Sequence, residues 1–130
     1  MIQASEDLEG FLARLERPFE RASSGVYVLR MGTGGALVAL HITPPVLLVR
    51  AEIGKAPTAA EPSRSLYKKL LELNASSLVH ASYGLEGELI VLSAALELTS
   101  IDLNELEAVL ADVDLALAEH VPALHEMVRS

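Results

Sequence analysis

The sequence predicts a single α+β domain in which helices pack on an antiparallel sheet. Short apolar runs at residues 26–31, 36–42 and 46–53 are bounded by glycine and proline turns, which is typical of a meander of antiparallel strands. Apolar residues at helical spacing occur before, between and after such runs. We therefore expect the order α-β-β-β-α-β-β-α, with residues 1–130 forming one domain.

The first predicted helix begins near Ser5, whose hydroxyl is suited to capping a helix N-terminus. Pro18 cannot donate the helical hydrogen bond, so we expect this helix to end or kink near Arg17. The apolar residues that share one side of the segment at the helical period are Leu8, Phe11, Leu12, Leu15 and Phe19.

The three strands that follow are predicted to be joined by tight turns. A strand follows Gly32, Gly34 and Gly35, whereas a phosphate-binding loop would lead into a helix and end in Gly-Lys-Ser/Thr. We therefore interpret these glycines as a hairpin turn. Because the strands alternate poorly between apolar and polar residues, we also expect much of the sheet to be covered on both faces.

The second half is predicted to contain a helix, a hairpin and a long final helix. The helix runs from Pro62 or Ser63 to Asn74, a residue suited to a left-handed helix end. Residues 78–83 and 88–96 form the hairpin.

The final helix opens with Asp102 and Glu105, which can act as a capping box, and Pro122 should kink it. Its apolar stripe comprises Leu106, Val109, Leu110, Val113, Leu117, Val121, Leu124 and Val128.

Charge is distributed unevenly along the chain. Residues 1–69 carry nine Lys/Arg and seven Asp/Glu, whereas residues 70–128 carry eleven Asp/Glu and no Lys or Arg. Such a surface repels phosphate backbones, so we expect no direct nucleic-acid binding. The acidic residues either attract a basic polypeptide segment or keep an apolar small protein soluble, and the sequence leaves both interpretations open.

No part of the sequence has the pattern of a signal peptide or a membrane helix. The longest uncharged run, residues 31–49, contains three glycines, two prolines and His41. We therefore expect a cytoplasmic protein that does not bind membranes.

Catalytic and metal-binding patterns are also missing. The chain has no cysteine, which excludes disulfides and thiol chemistry. His120 and His125 lie about 140° apart around a helix, and His41 and His80 fall on separate strands without a matching carboxylate pattern. No Gly-x-Ser-x-Gly motif occurs. We expect no cofactor, no metal and no enzymatic activity.

Three segments resemble the type III secretion chaperone fold and its YbjN-like relatives. Residues 70–74 (LLELN), 83–92 (YGLEGELIVL) and 101–107 (IDLNELE) are similar to the helix end, the hairpin and the final-helix opening of that family. The predicted element order matches over nearly the whole chain. These signatures are packing features, so they indicate fold more firmly than function.

The resemblance implies a small acidic homodimer that is not an enzyme and that binds an extended, non-globular segment of a client protein. Strand addition combined with apolar pockets would be the physical basis of such binding. The partner-binding residues assigned on this basis are Phe11, Leu15 and Phe19 on the first helix and Tyr27 and Leu29 on the first strand. Those assigned to dimer contacts are Leu66, Leu70, Leu73, Leu78 and His80. For the five residues assigned to partner binding, ordinary core packing is the alternative.

Two other functions stay open from the sequence. The first is a structural or regulatory subunit of YbjN type that binds a folded partner. The second is an enzyme, which would require a deep pocket with converging polar groups.

Overall fold

The structure is a computed structural model that describes residue 2 and residues 4–32 and 34–129, with 128 and 129 described as backbone only. Its helices are α1 (Ser5–Arg14), α2 (Ala60–Ser76), α3 (Leu103–Leu115) and α4 (Val121–Arg129), and a π-helical turn (Ala116–His120) joins the last two. Its strands are β1 (Glu20–Ser23), β2 (Val26–Met31), β3 (Ala36–Thr43), β4 (Val46–Lys55), β5 (Ser82–Glu86) and β6 (Leu89–Glu97).

The six strands form one antiparallel sheet in the order β1-β2-β3-β4-β6-β5. The predicted α+β class is confirmed, and the two hairpin regions are joined through the β4–β6 pair. The structure adds β1, a four-residue strand at the edge of the sheet that the sequence analysis did not anticipate. All four of its residues are exposed, so it has no buried face to give a hydrophobic pattern.

One face of the sheet is covered by the helices and the other is open in the single chain. Along β4, residues alternate regularly between buried and more exposed positions. The buried positions of the strands join the helical leucines in one continuous core. The expectation that much of the sheet is covered on both faces is therefore wrong for the single chain. Apolar residues on the open face, such as Leu37 and Leu48, hid the alternation between apolar and polar residues in the sequence.

Helix α1 ends at Arg14, before the proline, and Glu16 then adopts a positive φ of 56°. The first helical residue is Ser5, but the N-cap is Ala4. Asp7 takes over the capping role, because its carboxylate accepts a hydrogen bond from the Ala4 amide at 3.1 Å. Phe19 consequently lies beyond the helix, directly before β1.

Helix α2 continues through Asn74 to Ser76, so Asn74 is not the left-handed helix end that the sequence suggested. Its side chain is instead used in a tertiary contact with β5. The predicted strand over residues 78–83 begins only at Ser82. Asp112 of α3 binds the backbone of residues 79–81, which removes those amides from strand pairing.

The final helix has the predicted N-cap, since the Asp102 carboxylate accepts a hydrogen bond from the Glu105 amide at 2.7 Å. The predicted disturbance at Pro122 takes the form of the π-helical turn just before it. Pro122 has no N–H and its ring crowds the carbonyl four residues earlier, and a wider turn accommodates both. The stripe is buried at Leu106, Val109, Leu110, Val113, Leu117 and Leu124, and the Val128 side chain lies outside the described residues.

Candidate functional site

The five residues assigned to partner binding lie close to the β1–β2 end of the molecule but differ in exposure. Phe11, Leu15 and Phe19 are half-buried and pack against the core. Tyr27 and Leu29 are 0% and 1% exposed. The phenylalanines and Leu15 therefore keep part of their surface available in the single chain, whereas Tyr27 and Leu29 are enclosed in its core.

A polar contact fixes α1 against the first two strands. The Glu9 carboxylate accepts hydrogen bonds from the Tyr27 hydroxyl at 2.5 Å and from the Arg21 guanidinium. The hydrogen bond from Tyr27 and then that from Arg21 hold the pKa of Glu9 below its usual range. The Tyr27 ring also meets Phe19 edge-on, with ring centroids 5.4 Å apart. These contacts give Phe19 a defined position although it lies in a connecting segment.

A second polar contact joins the segment after α1 to the β2–β3 turn and to α3. Asp114 binds Arg17 at 2.6 Å through one carboxylate oxygen and accepts the Gly32 amide at 3.3 Å through the other. Gly32 has a φ of 73°, and a Cβ there would lie 2.9 Å from the Leu117 Cβ. Glycine is therefore required by the backbone conformation and by the close approach of the final helix.

A pocket of about 290 Å³ opens beside these contacts, at the margin between β1 and β2. It is lined by Pro18, Phe19, Glu20, Val28, Arg30 and Leu37, and is called the margin pocket below. Leu37 is 55% exposed. Of the lining residues, only Phe19 was a sequence-predicted site residue. Val28, Arg30 and Leu37 were missed because only the β2–β3 register places Arg30 opposite Leu37 on the open face.

Farther along the open face, Arg50 covers the strands beside it. Its guanidinium binds Glu86 at 2.5 Å and Glu52 at 3.1 Å. The hydrogen bonds that Arg50 donates to Glu86, and then the one it donates to Glu52, raise the pKa of Arg50. In turn, the hydrogen bond from Arg50 lowers the pKa of Glu86. This network spans β4 and β5 across β6, where Val91 is buried although it faces away from the helices.

The residues assigned to dimer contacts lie on α2 and in the segment after it. Leu66, Leu70, Leu73 and Leu78 belong to the core of the single chain, and His80 is exposed. In the single chain the leucines themselves offer little area to a second copy. The exposed apolar side chains nearby are Tyr67, Leu71 and Val79, and Leu71 and Val79 are 68% and 82% exposed. We call these three residues the α2 patch.

Part of the β5 edge of the sheet is protected by the Asn74 side chain. The Asn74 side chain donates a hydrogen bond to the Tyr83 carbonyl at 3.1 Å and accepts one from the Tyr83 N–H at 2.7 Å. It therefore binds the same two backbone groups of Tyr83 that a neighbouring strand would bind. The Tyr83 hydroxyl lies 3.2 Å from Nδ1 of His120. Burial, together with the charge of Asp112, raises the pKa of Tyr83.

In the described part of the chain, no group of three or more acidic or histidine side chains is arranged to hold a metal ion. Across the same residues, no helix is long and apolar enough to cross a membrane.

The family model CesT_Tir_1 matches residues 1–130. This chain belongs to the CesT_Tir_1 family. The family is one of type III secretion chaperones, which confirms the resemblance noted in the sequence. No match to this CesT_Tir_1 member was found among curated proteins.

Two solved structures share the fold of this CesT_Tir_1 member. One is a chain of the heterodimeric ExoU–SpcU complex from the type III secretion system of Pseudomonas aeruginosa, with 19% identity, a TM-score of 0.68, and coverage of 93% of this chain and 97% of that one. The other is YbjN from E. coli, with 15% identity, a TM-score of 0.62, and coverage of 98% and 90%. At these identities the similarity concerns the fold.

Proposed function

We propose that this CesT_Tir_1 member is a non-enzymatic, chaperone-like homodimer that acts in the cytoplasm and holds an extended or disordered segment of a client protein. Family membership along the entire chain supports protein binding. The observation that carries the client-binding part is the partly exposed apolar surface at the β1–β2 end, which adjoins a sheet margin where strand pairing is incomplete.

The client surface is formed by Phe11, Leu15 and Phe19, with Tyr27 and Leu29 behind them. A half-buried aromatic side chain already has its ordering cost met by core contacts, and its remaining apolar area is free for a partner. The Glu9–Tyr27 hydrogen bond and the Arg17–Asp114 ion pair hold α1 and the following segment in place. A preorganised apolar surface of this kind binds an extended chain with a smaller entropy cost than a mobile one.

For the dimer, we propose contacts through α2 and the segment that precedes β5. Leu66, Leu70, Leu73 and Leu78 hold this region to the core, and His80 with the α2 patch forms the outward side. An apolar residue as exposed as Val79 or Leu71 gains most from coverage by a second copy. Sedimentation equilibrium should show a dimer that Leu71→Asp dissociates. Leu115→Asp is the matched control, because Leu115 is an exposed leucine on α3 and is not part of the α2 patch.

Photo-cross-linking tests the client surface directly. We would place p-benzoylphenylalanine at position 11 or 19 in the full-length protein, cross-link in the native lysate and map the cross-linked peptides by mass spectrometry. We expect cross-links to a segment of one partner that is disordered when free. Phe19→Asp should weaken binding of that segment as a labelled peptide, and Leu115→Asp should not. Equal binding by the two folded variants would disprove the surface assignment.

A structural or regulatory subunit that binds a folded partner is the second candidate. It is favoured by the open sheet face, where Leu37 and Leu48 are exposed next to Ala39. This function predicts cross-links from position 48 to a folded domain and no affinity for extended peptides. A labelled peptide that binds at the phenylalanine positions would exclude it.

A further inference from the structure

The open face of the sheet is apolar at its centre. Leu37 and Leu48 are exposed there, although β3 and β4 are the two middle strands of the sheet. Around them, the outward side chains that are only partly covered are Val26, Val28, Ala39 and Val46. A contiguous apolar patch of this kind on a sheet is typical of an interaction surface.

Charge is divided between the two halves of this face. Strands β2 and β3 contain no Asp or Glu, and their one arginine, Arg30, has no ion-pair partner among the described residues. On β4 and β5, Glu52 and Glu86 both bind Arg50. Two carboxylates around one guanidinium leave a net negative charge. The face therefore has a basic half and an acidic half.

A face with these two halves can bind a second copy of itself. A twofold axis parallel to the strands, between β3 and β4, would place β3 over β4 of the second copy and β2 over its β6. Such an axis does not shift residues along the strands, so each residue would face the row to which it already belongs. Val28, Ala39, Arg50 and Ser93 form one row. Ala39 would face Arg50 of the second copy and Val28 would face its Ser93, so each larger side chain would meet a smaller one.

The next row brings opposite charges together. Arg30 pairs with Leu37 on β3, and Glu52 pairs with Val91 on β6. Leu37 and Glu52 line one shallow pocket of about 280 Å³, so the row is continuous across β3 and β4. The same axis would place Arg30 over Val91 of the second copy, beside its Glu52. Because the axis is twofold, this contact between opposite charges would occur twice.

We propose that the open face of the sheet is a contact between two copies of this chain, with Leu37 and Leu48 at its centre and Arg30 of each copy beside Glu52 of the other. This contact is separate from the α2 patch, so the two contacts together would form assemblies larger than a dimer. From the strand spacing and the rise per residue, four strands and three rows cover about 400 Å² per copy. A stable interface covers about 800 Å² per partner, so we expect weak association that depends on concentration.

Charge reversal between copies tests this contact with the full-length protein. In sedimentation equilibrium, the average mass of the wild type should rise with concentration beyond that of a dimer. Leu71→Asp, which acts on the α2 contact, should still associate at high concentration. In that background, Arg30→Glu and Glu52→Arg should each weaken association at least about tenfold, because each places two like-charged pairs in contact. An equal mixture of the two variants should associate as strongly as the Leu71→Asp parent, because both contacts in the mixed pair regain opposite charges.

Arg14→Glu is the matched control for the charge change. Arg14 is exposed and has no ion pair within the described part of the chain, but it lies on α1 and not on the sheet. This variant should associate like its parent. In Glu52→Arg, the Arg50 guanidinium keeps its ion pair with Glu86. Circular dichroism of each variant verifies that it is folded.

The inference is overturned if the mass of Leu71→Asp does not rise with concentration, or if folded charge variants associate like their parent. It also fails if the mixture associates no better than either variant alone, since loss of stability in one variant cannot produce rescue by the other. Photo-cross-linking from position 48 in the native lysate should join two copies of the chain. Cross-links from that position only to a different folded protein would assign the open face to the regulatory function.

Discussion

The two edges of the sheet are protected in different ways: at β5 the Asn74 side chain occupies backbone groups, whereas β1 is short and fully exposed. The β5 edge is closed by Asn74 and anchored by Asp112, so side chains satisfy backbone groups that would otherwise be exposed. The β1 edge is short and exposed, and β1 pairs only with residues 26–28 of β2. Unpaired strand edges are prone to unwanted association, and proteins usually protect them. The comparison shows that a side-chain contact and a short, charged strand can each limit pairing at a sheet edge.

Asp112→Ala should cause the largest loss of stability among the variants that test this comparison. One Asp112 carboxylate oxygen accepts the amides of residues 79, 80 and 81 at 2.9–3.2 Å, and Asp112 is the buried charged residue among those described. Its removal leaves three amides without this acceptor, and we expect a loss of about 3 kcal/mol in the free energy of unfolding. Urea denaturation would measure it. Glu107→Ala, an exposed change on the same helix, should alter stability by less than about 0.5 kcal/mol.

Gly32→Ala, in the turn between β2 and β3, should cause the next largest loss of stability. The positive φ and the 2.9 Å approach to Leu117 both oppose a Cβ, so we expect a loss of about 2 kcal/mol. Gly34→Ala is the control in the same turn, because a Cβ there meets no atom within 4 Å and its φ is not positive. Equal thermal midpoints for the two variants would show that the turn does not pack on the final helix as described.

Asn74→Ala tests whether this side chain protects the β5 edge. The variant loses two hydrogen bonds to Tyr83, and we expect a loss of about 1 kcal/mol in stability. The exposed Tyr83 backbone should also increase self-association with concentration, measurable by light scattering. The exposed Asn104→Ala should change neither quantity. A variant at position 74 that is as monodisperse as the Asn104 variant would contradict the edge-protection role.

Glu9→Gln, on α1, should cause the smallest loss of stability. The pKa of Glu9 is lowered in the folded state, so its ionised form contributes stability at pH values above the unfolded pKa. That contribution is lost as the pH falls through the lowered folded pKa. The thermal midpoint of the wild type should therefore exceed that of Glu9→Gln at pH 7, and the difference should shrink toward pH 3. A difference that is constant with pH would exclude the Glu9–Tyr27–Arg21 contact as its source.

Sequence patterns predicted the helical and strand content well where one side of an element is buried. The Asp102 cap, the stripe of the final helix and the disturbance before Pro122 all follow from local chemistry. Local patterns were misleading where a tertiary contact intervened. Asn74 is a residue type that often ends helices, but here its side chain binds the Tyr83 backbone. Residues 78–81 are apolar enough for a strand, but Asp112 binds the backbone of this segment.

The candidate site was predicted only in part for the same reason. Phe11 and Leu15 were assigned from their helical spacing in the sequence, whereas Phe19 shares that spacing but lies beyond the end of α1. Arg30 gave no comparable signal, since one arginine in an apolar strand has no periodicity. Its placement in the margin pocket depends on where β1 stops and on which β3 residue lies opposite.

The sequence by itself determined the α+β class, the order of the elements other than β1, the uneven charge and the family resemblance, because these depend on periodicity and composition within short windows. Only the tertiary structure decided which leucines are enclosed in the single chain, which sheet face stays open and which edge is closed. Those outcomes depend on contacts between residues far apart in the chain, such as Asn74 with Tyr83 and Arg17 with Asp114. No local pattern encodes the distance between such residues, because it is fixed by the packing of the whole fold.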